Sequence, residues 1–341
     1  MADRNRIVRI GETEIHPGER RSIDLPVADL YTHTEMHMPV EVINGKQPGP
    51  TLFVCAAIHG DEINGVEIVR RLLLSSSMKR LRGALIAIPI VNVLGFLNLS
   101  RYLPDRRDLN RSFPGSERGS AASRLARIFS DQILNQSDCG IDLHTAAQHR
   151  SNLPQIRADL SDPRLEPLAQ AFGAPVIINA ENRDGSLRNL AGERDKPLLV
   201  YEAGEALRFD ETCIRTGVRG IQRVMRVLGM LPGKTPTKFG DPVIAHDSAW
   251  VRATQSGIIV TRAALGSRVR RGDVVAKISD PFGTSNYDVT SPHNGIVIGN
   301  TQLPLVHEGD ALCHIADFDK PLAAERTVAA FHEHLQQGSQ T

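Results

Sequence analysis

The chain contains 341 residues, 41% of them hydrophobic, and its 40 Lys and Arg nearly balance its 39 Asp and Glu, for a formal net charge of +1. A chain of this length buries a large core and is expected to form two domains. The balanced charge excludes the strongly basic or acidic surface with which proteins bind nucleic acid or an anionic membrane. A small molecule is therefore the predicted partner.

The cysteines and the N-terminus predict the compartment. The four cysteines are scattered without a CxxC pair, which indicates free thiols in a reducing compartment rather than a disulfide framework. Residues 1–6 lack the apolar core of a signal peptide, and no stretch approaches the ~18 apolar residues of a membrane span. We therefore expect a cytoplasmic protein.

The first predicted strands cover residues 20–30 and 35–44, and we assign no chemistry to the histidines there. The apolar run at residues 54–58 then predicts a buried strand, and it ends in a glycine turn that carries His59, Asp61 and Glu62 ahead of a helical pattern. Two interpretations stay open at this point. Asp61 and Glu62 suit a capped helix start, whereas His59 and Glu62 can also point at one ion.

An irregular loop follows the next predicted strand, which covers residues 83–92. The strand, helix, strand order predicts a largely parallel sheet. The loop at residues 101–115 is rich in arginine and is punctuated by Pro and Gly, so it is either a solvated charged loop or a shaped functional one. Because a guanidinium holds a carboxylate through two parallel hydrogen bonds, the second interpretation predicts carboxylate binding.

A second histidine stands at the end of a later predicted strand. Residues 121–134 have a helical pattern, and the short strand at residues 139–144 ends in His144. Two strand-end histidines and Glu62 form a three-ligand set of the kind that binds catalytic zinc and leaves a fourth position for water. Asp142 lies on the same side of the strand as His144, where it would orient a ligand or bond to backbone.

The segment after His144 is predicted as a Pro-containing loop at residues 152–157 followed by an amphipathic helix that reaches residue 173. Arg150 and Arg157 either line a pocket or lie on the surface. Further strands are predicted at residues 176–179 and 197–205, and Glu202 ends the apolar part of the second one. A carboxylate beside apolar strand residues suits a general base, although Glu202 could also pair with an arginine.

Three ordered motifs resemble the succinylglutamate desuccinylase/aspartoacylase family, which belongs to the wider zinc carboxypeptidase-like group. They span roughly residues 50–205 and are His59-Gly60-Asp61-Glu62, Asp108-Leu109-Asn110-Arg111 with Phe113-Pro114-Gly115, and Asp142-Leu143-His144. The resemblance implies an α/β fold with a mixed, largely parallel sheet flanked by helices. It also implies one zinc ion per chain, with His59, Glu62 and His144 as its ligands.

The same resemblance implies roles for five further side chains. Asn110 and Arg111 would bind a substrate carboxylate, and Arg188 matches a substrate-binding arginine of the family, although after a longer loop. Arg101 would polarise the scissile carbonyl, and Glu202 would be the catalytic base. The implied protein is a zinc-dependent amidohydrolase.

The Gly- and Pro-rich stretch at residues 229–236 predicts a boundary between a catalytic domain, residues 1–232, and a second domain, residues 236–320. Short β-rich segments there resemble a biotinyl/lipoyl-type sandwich. Pro281, Phe282 and Gly283 form the predicted hairpin tip and Lys277 lies back in a strand, which argues against swinging-arm chemistry. We expect an all-β packing or oligomerisation module that overhangs the active site, with its histidines, including His314, on the surface or in the core.

The first hypothesis is therefore a zinc amidohydrolase (deacylase) that cleaves the amide bond of a small N-acyl amino acid or a related N-acyl amine. A carboxypeptidase-like metallopeptidase is the alternative within the enzymes. A non-catalytic zinc- or ligand-binding protein is the alternative outside them, although the joint presence of Glu202 and Arg101 favours an enzyme. The acyl group is not predicted by the sequence, and a homo-oligomer is left open.

Overall fold

The protein, a computed structural model, is described over residues 6–233, 241–319 and 321–337. The strands there are β1 (Val8–Ile10), β2 (Thr13–Ile15), β3 (Arg20–Asp29), β4 (Glu35–Asn44), β5 (Gln47–Ala56), β6 (Arg82–Ile88), β7 (Cys139–Ala146), β8 (Arg150–Ala158), β9 (Val176–Asn179), β10 (Leu198–Glu205), β11 (Val243–Ala245), β12 (Asp247–Arg252), β13 (Gly257–Arg262), β14 (Arg268–Val269), β15 (Val274–Ser279), β16 (Asn286–Thr290), β17 (Gly295–Thr301), β18 (Leu305–Val306) and β19 (Ala311–Asp317). The helices are α1 (Asn64–Leu74), α2 (Val93–Leu97), α3 (Ala121–Phe129), α4 (Leu165–Phe172), α5 (Leu187–Glu193), α6 (Glu211–Val227) and α7 (Pro321–Gln337). Short 3-10 helices cover Ser76–Arg80 and Leu109–Arg111, and a π-helical turn, Ser130–Leu134, continues α3.

One large mixed sheet runs through the molecule in the order β12-β19-β17-β8-β10-β7-β5-β6-β4-β3. Its parallel centre is the run β6-β5-β7-β10, whose strands are joined by helical crossovers. The pairs on either side of that centre, β4 with β6 and β8 with β10, are antiparallel. Parallel pairs also occur off this path, β8 with β9 and β9 with β11, so the sheet is mixed, and the expectation of a largely parallel sheet holds for its centre but not for its antiparallel flanks.

Helices cover both faces of the parallel centre, which explains why its strands are apolar throughout. On one face α1, α4 and α6 pack through residues such as Ile68, Phe172 and Ile221, each buried in one core. On the other face α3 and α5 bury Phe129 and Leu190 in a second core. The two cores hold the carboxyl ends of β5, β7 and β10 at one edge of the sheet, where ligands bind in folds of this class.

One segment differs from its prediction. The residues expected to form a Pro-containing loop, 152–157, belong to strand β8. Pro154 lies where the pairing of β8 with β10 shifts register between Glu202 and Gly204, so its missing N–H breaks no regular ladder there. The prediction of a loop was wrong because proline is tolerated in a strand at such an irregularity, and β8 becomes the strand that joins the two halves of the sheet.

The C-terminal residues form the expected all-β region, but it is continuous with the catalytic sheet. Strand β17 pairs antiparallel with β8, through Gly299 and Asn152, and β19 and β12 follow outward. A second sheet, β16-β15-β13-β18, closes over an apolar core that includes Val275 and Ile315. Helix α7 then contributes Val328 to a smaller core. Residues 234–236 of the predicted boundary lie outside the described residues.

The hairpin tip predicted at residues 281–283 lies between β15 and β16, and the cysteines are unpaired, as expected. Phe282 lies on the exposed turn between β15 and β16, while Lys277 sits within β15 with its Nζ 3.3 Å from Asp288 Oδ1. All four cysteines are free and buried. No helix of the described residues is long and apolar enough to cross a membrane.

Candidate metal centre and active-site pocket

Three neighbouring parallel strands deliver the candidate site residues. His59 and Glu62 follow the carboxyl end of β5, His144 lies near the end of β7, and Glu202 lies on β10. In the register of β10 with β7, Glu202 and His144 are direct partners, and β7 in turn neighbours β5. Because carboxyl ends of parallel strands share an edge, residues from positions 59 to 202 meet there, as the sequence predicts.

The turn after β5 depends on a glycine. A Cβ on Gly60 would lie 2.0 Å from the carbonyl carbon of Gly95, so no other residue fits without moving the backbone of α2. The main chain of Ala57 accepts a hydrogen bond from the Asn92 N–H at 2.9 Å, and Ala57 itself adopts a left-handed conformation. This tight packing fixes where His59 and Glu62 emerge from the strand.

His59, Glu62 and His144 form one buried cluster. The Nδ1 atoms of His59 and His144 lie 2.7 and 2.8 Å from the two carboxylate oxygens of Glu62, Oε1 and Oε2 respectively. One potential ligand atom from each residue lies within 4.8 Å of the others. The Thr145 N–H also donates to Glu62 Oε2 at 3.0 Å, which holds the carboxylate in place.

A second carboxylate fixes the far side of each imidazole. Asp108 Oδ1 lies 3.1 Å from His59 Nε2, and Asp142 Oδ2 lies 2.8 Å from His144 Nε2. Burial lowers the pKa of His144, but the charges of Asp142 and Glu62 outweigh it and raise that pKa well above its usual value. Burial raises the pKa of Glu62, but both histidines outweigh it, so the pKa lies below its usual range.

This donor set fits a divalent zinc ion. Two imidazole nitrogens and one carboxylate are the common protein ligands of catalytic zinc, and carboxylates behind the histidines are the usual partners that set their tautomer. Here the Nδ1 atoms converge on Glu62 while the Nε2 atoms are already held by Asp108 and Asp142. Asp142 therefore takes the orienting position that the sequence left open, and Asp108 takes the matching position for His59.

Arg101 lies beside the cluster. Its Nη2 donates to Asp108 Oδ2 at 2.9 Å and its Nη1 lies 3.4 Å from Glu62 Oε1. Burial lowers its pKa, but the charges of Glu62 and Asp108 raise it overall, so the guanidinium keeps its charge in this half-buried position. Asp108 belongs to one of the sequence motifs but has no predicted role, whereas in the structure it links His59 to Arg101.

Glu202 lines the same pocket, and its carboxylate contacts one neutral side chain and one positive side chain. Asn152 Nδ2 donates to Glu202 Oε2 at 2.9 Å, and Arg157 Nε lies 3.4 Å from Glu202 Oε1. The Glu202 side chain is 22% exposed, so the carboxylate is held but open to a ligand. Of the two interpretations of Arg157, the one in which it lines a pocket is correct.

The arginine-rich loop at residues 101–115 has a defined conformation that is fixed by hydrogen bonds to another part of the chain. This agrees with the interpretation of a shaped loop and not with that of a solvated charged loop. Asn110 Oδ1 accepts a hydrogen bond from the Leu187 N–H at 2.9 Å, and the Phe113 N–H donates to the Gly185 carbonyl at 3.0 Å. These bonds fasten the loop to the start of α5, which carries Arg188. Burial, and then the nearby charge of Arg157, lower the pKa of Arg188 to about 10.

The assembled pocket has a volume of about 410 Å³ and a strong excess of positive charge. Its arginines are Arg101, Arg111, Arg150, Arg157, Arg183 and Arg188, and its acids are Glu62, Asp142 and Glu202. Arg101 and Arg157 have ion pairs. Within the described part of the chain, the other four arginines have no ion pair with a carboxylate. Such a pocket suits an anionic ligand.

The C-terminal strands complete the pocket, and sequence reasoning missed their contribution. Ser248, Trp250 and His314 line it, so His314, which was expected on the surface or in the core, is a buried side chain in the pocket wall. Its only local signal is a histidine in an alternating strand, which is common in proteins. The decisive information is the pairing of β17 with β8, a contact between distant parts of the sequence.

The fold and the site together define a mixed α/β protein with a buried His-Glu-His centre of the type found in zinc hydrolases. Residues 48–228 match the Succinylglutamate desuccinylase/Aspartoacylase catalytic domain, which is more than half of the chain. The chain therefore belongs to the succinylglutamate desuccinylase/aspartoacylase family, as its motifs predicted.

Individual relatives agree with that assignment. The N-alpha-acetyl-L-2,4-diaminobutyric acid deacetylase of Halomonas elongata is 27% identical over 310 residues, which cover 86% of this chain and 90% of the relative. A succinylglutamate desuccinylase/aspartoacylase structure from Rhodobacter sphaeroides is 25% identical, with a TM-score of 0.77 over 88% of this chain and 96% of its own. The product-bound ectoine utilization protein EutE (DoeB) of Ruegeria pomeroyi, at 24% identity, shares the fold, with a TM-score of 0.81 over 92% of this chain and 99% of its own.

Proposed function

We propose that this protein is a zinc-dependent amidohydrolase that removes the acyl group from a small N-acyl amino acid or a related N-acyl amine. The observation that carries the proposal is the convergence of His59, Glu62 and His144 ligand atoms within 4.8 Å of one another, in a pocket that Glu202 also lines. Membership of a family of desuccinylases and aspartoacylases and the deacetylase relative support amide cleavage.

Glu202 is the proposed proton carrier. A bound zinc would supply Lewis-acid polarisation of the carbonyl and lower the pKa of a coordinated water toward ~7. Glu202 takes a proton from the attacking water and transfers it to the amine nitrogen as the amide C–N bond breaks. The water oxygen ends in the carboxylic acid and the amine leaves with the proton. Asn152 and Arg157 hold the Glu202 carboxylate in the pocket during these transfers.

Arg101 is the proposed donor for the negative charge that develops on the carbonyl oxygen. Its guanidinium is fixed by Asp108 and lies next to His59 and Glu62, so it needs little rearrangement when that charge appears. Preorganised donors of this kind are worth about 3–4 kcal/mol each in enzymes that cleave acyl groups.

Asn110, Arg111 and Arg188 are the proposed contacts to a substrate carboxylate. Because the Leu187 N–H already occupies Asn110 Oδ1, the amide NH₂ of Asn110 is the group left to donate to a ligand. Arg111 and Arg188 also line the pocket and are among the arginines without a carboxylate partner. A bound carboxylate would give their charges the partner that they lack.

Metal analysis and turnover test the proposal together. Protein purified without a metal-chelating tag is expected to contain about one zinc per chain by plasma mass spectrometry, and the His144→Ala variant is expected to contain none. Wild type is then offered a panel of N-acyl amino acids and a panel of peptides. Release of amines from the first panel supports the deacylase, whereas cleavage of peptides alone supports the metallopeptidase. Metal without any turnover supports a binding protein.

The Glu202→Gln variant tests the proton carrier. It is expected to retain zinc and lose about 10²–10⁴-fold in kcat. Glu205→Gln is the matched control, because Glu205 lies on the same strand, pairs with Arg208 and does not line the pocket. Equal activity of the two variants would contradict the assigned role.

A further inference from the structure

The carboxylate of Asp142, which contacts the far side of the His144 ring, is buried between strands of the parallel centre. Its side chain is only 1% exposed. Among the described residues it has no ion pair with an arginine or a lysine, and its side-chain hydrogen bonds are to His144, through Oδ2, and to Cys55, through Oδ1. Because a buried carboxylate loses the hydration of both oxygens, the partner of Oδ1 matters as well as the histidine at Oδ2.

Cys55 reaches Asp142 directly across two paired strands. The two residues are register partners in the parallel pair β5 and β7. The Cys55 Sγ lies 3.3 Å from Asp142 Oδ1, and the cysteine is completely buried. Burial, and then the charge of Asp142, raise the pKa of the thiol well above its usual value, so the sulfur keeps its proton. The thiol is therefore the donor of this hydrogen bond, and the carboxylate accepts it.

This contact continues to the nitrogen atom that faces the proposed metal position. Asp142 Oδ2 lies 2.8 Å from His144 Nε2, and on the other side of the same ring Nδ1 lies 2.8 Å from Glu62 Oε2. A carboxylate at Nε2 keeps the ring proton there and leaves the lone pair of Nδ1 for an ion. Cys55, Asp142 and His144 thus form one continuous series of hydrogen bonds that ends at a proposed ligand atom.

The carboxylate behind the other histidine is held in a different way. Asp108 is 16% exposed, and its oxygens accept from the Arg101 guanidinium at 2.9 Å and from the Asn110 N–H at 2.8 Å. A guanidinium brings a positive charge that offsets the charge of its partner, whereas a thiol is a neutral donor. Asp142 therefore keeps its full negative charge and depends on a neutral side chain for its orientation.

A buried cysteine can also act as a small core-filling residue, and Cys139 is an example in the same sheet. Both Cys55 and Cys139 are buried in apolar cores. Cys139 lies at the start of β7, the strand that carries Asp142, and its thiol has no hydrogen bond among the described residues. The two cysteines thus differ in the carboxylate acceptor at the Cys55 sulfur, and this difference separates a positioning role from a packing role.

We propose that Cys55 is a positioning residue of the metal centre, because its thiol fixes the Asp142 carboxylate in the orientation that aims His144 Nδ1 at the proposed metal position. The inference rests on the proposed function, since it needs the metal ligands assigned there. Loss of a partner behind a metal ligand typically weakens metal binding about 10–100-fold. Because Cys55 acts through Asp142, we expect the lower end of that range, about tenfold.

Four variants separate the hydrogen bond from the volume of the side chain. Cys55→Ser keeps a donor, Cys55→Ala removes the donor and part of the volume, and Cys55→Val fills the site without a donor. Cys139→Ala is the matched control, because it removes a buried thiol from the neighbouring strand. Competition with a chelator measures the zinc affinity of each full-length protein. We expect binding to weaken about tenfold in Cys55→Ala and Cys55→Val and to stay within about threefold of wild type in Cys55→Ser and Cys139→Ala.

Cobalt substitution gives a readout that a packing role does not change. The visible absorption of bound Co²⁺ depends on the geometry of its ligands. We expect Cys55→Ala and Cys55→Val to shift these bands, whereas Cys55→Ser and Cys139→Ala should match the wild-type spectrum. Circular dichroism checks that each variant is folded, and urea unfolding of the metal-free proteins measures the stability that a packing role would provide.

Three results would overturn the positioning role. These are wild-type affinity in Cys55→Ala and Cys55→Val, an affinity of Cys55→Ser as weak as that of Cys55→Ala, and an equal loss in Cys139→Ala. A wild-type protein that binds no zinc would contradict the proposed function together with this inference. A protein that binds zinc but cleaves no N-acyl amino acid would lose the proposed function alone, and the zinc affinities would still decide the role of Cys55, since they need no turnover.

Discussion

The two ends of the pocket carry opposite charges. The metal-type end contains His59, Glu62 and His144, and the arginine end contains Arg111, Arg150, Arg157, Arg183 and Arg188. At the metal-type end, His59 and His144 each lie between two carboxylates, and Glu62 contacts both rings. At the other end, Arg111, Arg150, Arg183 and Arg188 have no ion pair with a carboxylate among the residues that the structure describes, and Arg157 has one, with Glu202. The first end is thus arranged to hold a cation and the second to hold an anion, which supports the proposed zinc-dependent hydrolysis of a carboxylate-bearing amide.

The two ends also differ in how the chain builds them. The metal-type end comes from the carboxyl ends of the buried parallel strands β5 and β7, and its histidines are 5% exposed. The arginine end comes from the loop before α3, from α5 and from the antiparallel strands β8 and β12. The parallel strands therefore carry the proposed chemistry, while a loop, the start of α5 and two antiparallel strands carry the proposed recognition of the ligand.

The largest expected effect is the loss of metal binding and activity when the charge of Glu62 is removed. Glu62→Gln replaces a carboxylate that contacts both histidines by a neutral amide. We expect zinc content to fall to near zero and kcat to fall by at least about 10³-fold, since the buried cluster loses both a ligand and its shared charge. Plasma mass spectrometry and amine release measure the two effects.

The control for that variant is Glu67→Gln on α1. Glu67 forms ion pairs with Arg70 and Arg71 away from the pocket, so its loss should leave the zinc content intact and change the free energy of unfolding by no more than about 1 kcal/mol. Full zinc occupancy in Glu62→Gln would show that Glu62 is not a ligand.

A smaller loss of zinc affinity is expected when the carboxylate that holds the His59 ring is removed. Asp108→Asn keeps the shape of the residue but withdraws the carboxylate from His59 Nε2 and from Arg101. Zinc affinity, measured by competition with a chelator, should weaken about 10–100-fold. Asp105→Asn in the same loop is the control, because Asp105 accepts from the Ala122 N–H outside the pocket. An equal zinc affinity in both variants would remove Asp108 from the centre.

These differences explain which parts of the site were predictable from the sequence. His59, Glu62 and His144 stand at the ends of apolar runs, and that local pattern places them at one edge of the sheet and makes them candidate metal ligands. Glu202 has the same signal. The parallel centre of the fold follows from the alternation of strands and helices, which is also a local pattern.

The other pocket residues depend on contacts between distant parts of the chain, which no local sequence pattern predicts. Asn152 was expected in a loop because Pro154 follows closely, and only the register shift in β10 shows that a strand accommodates it. Trp250 and His314 reach the pocket because β17 pairs with β8, about 150 residues earlier in the chain. Their alternation predicts strands but not which face meets the pocket.

Removing one arginine charge should weaken binding of the substrate carboxylate without changing the catalytic rate at the metal-type end. For Arg188→Gln we expect KM for a carboxylate-bearing substrate to rise about tenfold while kcat stays within a factor of about two, because a contact to a remote carboxylate is present in ground and transition states alike. Since burial already lowers the pKa of Arg188 to about 10, the variant should also melt no earlier than wild type.

Arg194→Gln at the end of the same helix is the control for Arg188. Arg194 donates to Asn135 Oδ1 away from the pocket, so its loss should leave KM unchanged. A fall in kcat with constant KM in Arg188→Gln would instead assign this arginine to the reacting centre.

The smallest expected effect is a pH dependence of stability at His314. Burial and Arg157 hold its folded pKa at about 3, whereas an unfolded histidine titrates near ~6.5, so between these values the unfolded chain binds more protons. The neutral ring's contribution is complete above pH ~6.5 and is lost as the pH falls. Between pH ~6.5 and ~5.5 wild type should lose about 1 kcal/mol relative to His314→Phe in urea unfolding. Because every other titrating group is common to both proteins, an unchanged difference would mean that His314 accepts a proton in the folded state, and the arginine end would then carry yet another positive charge.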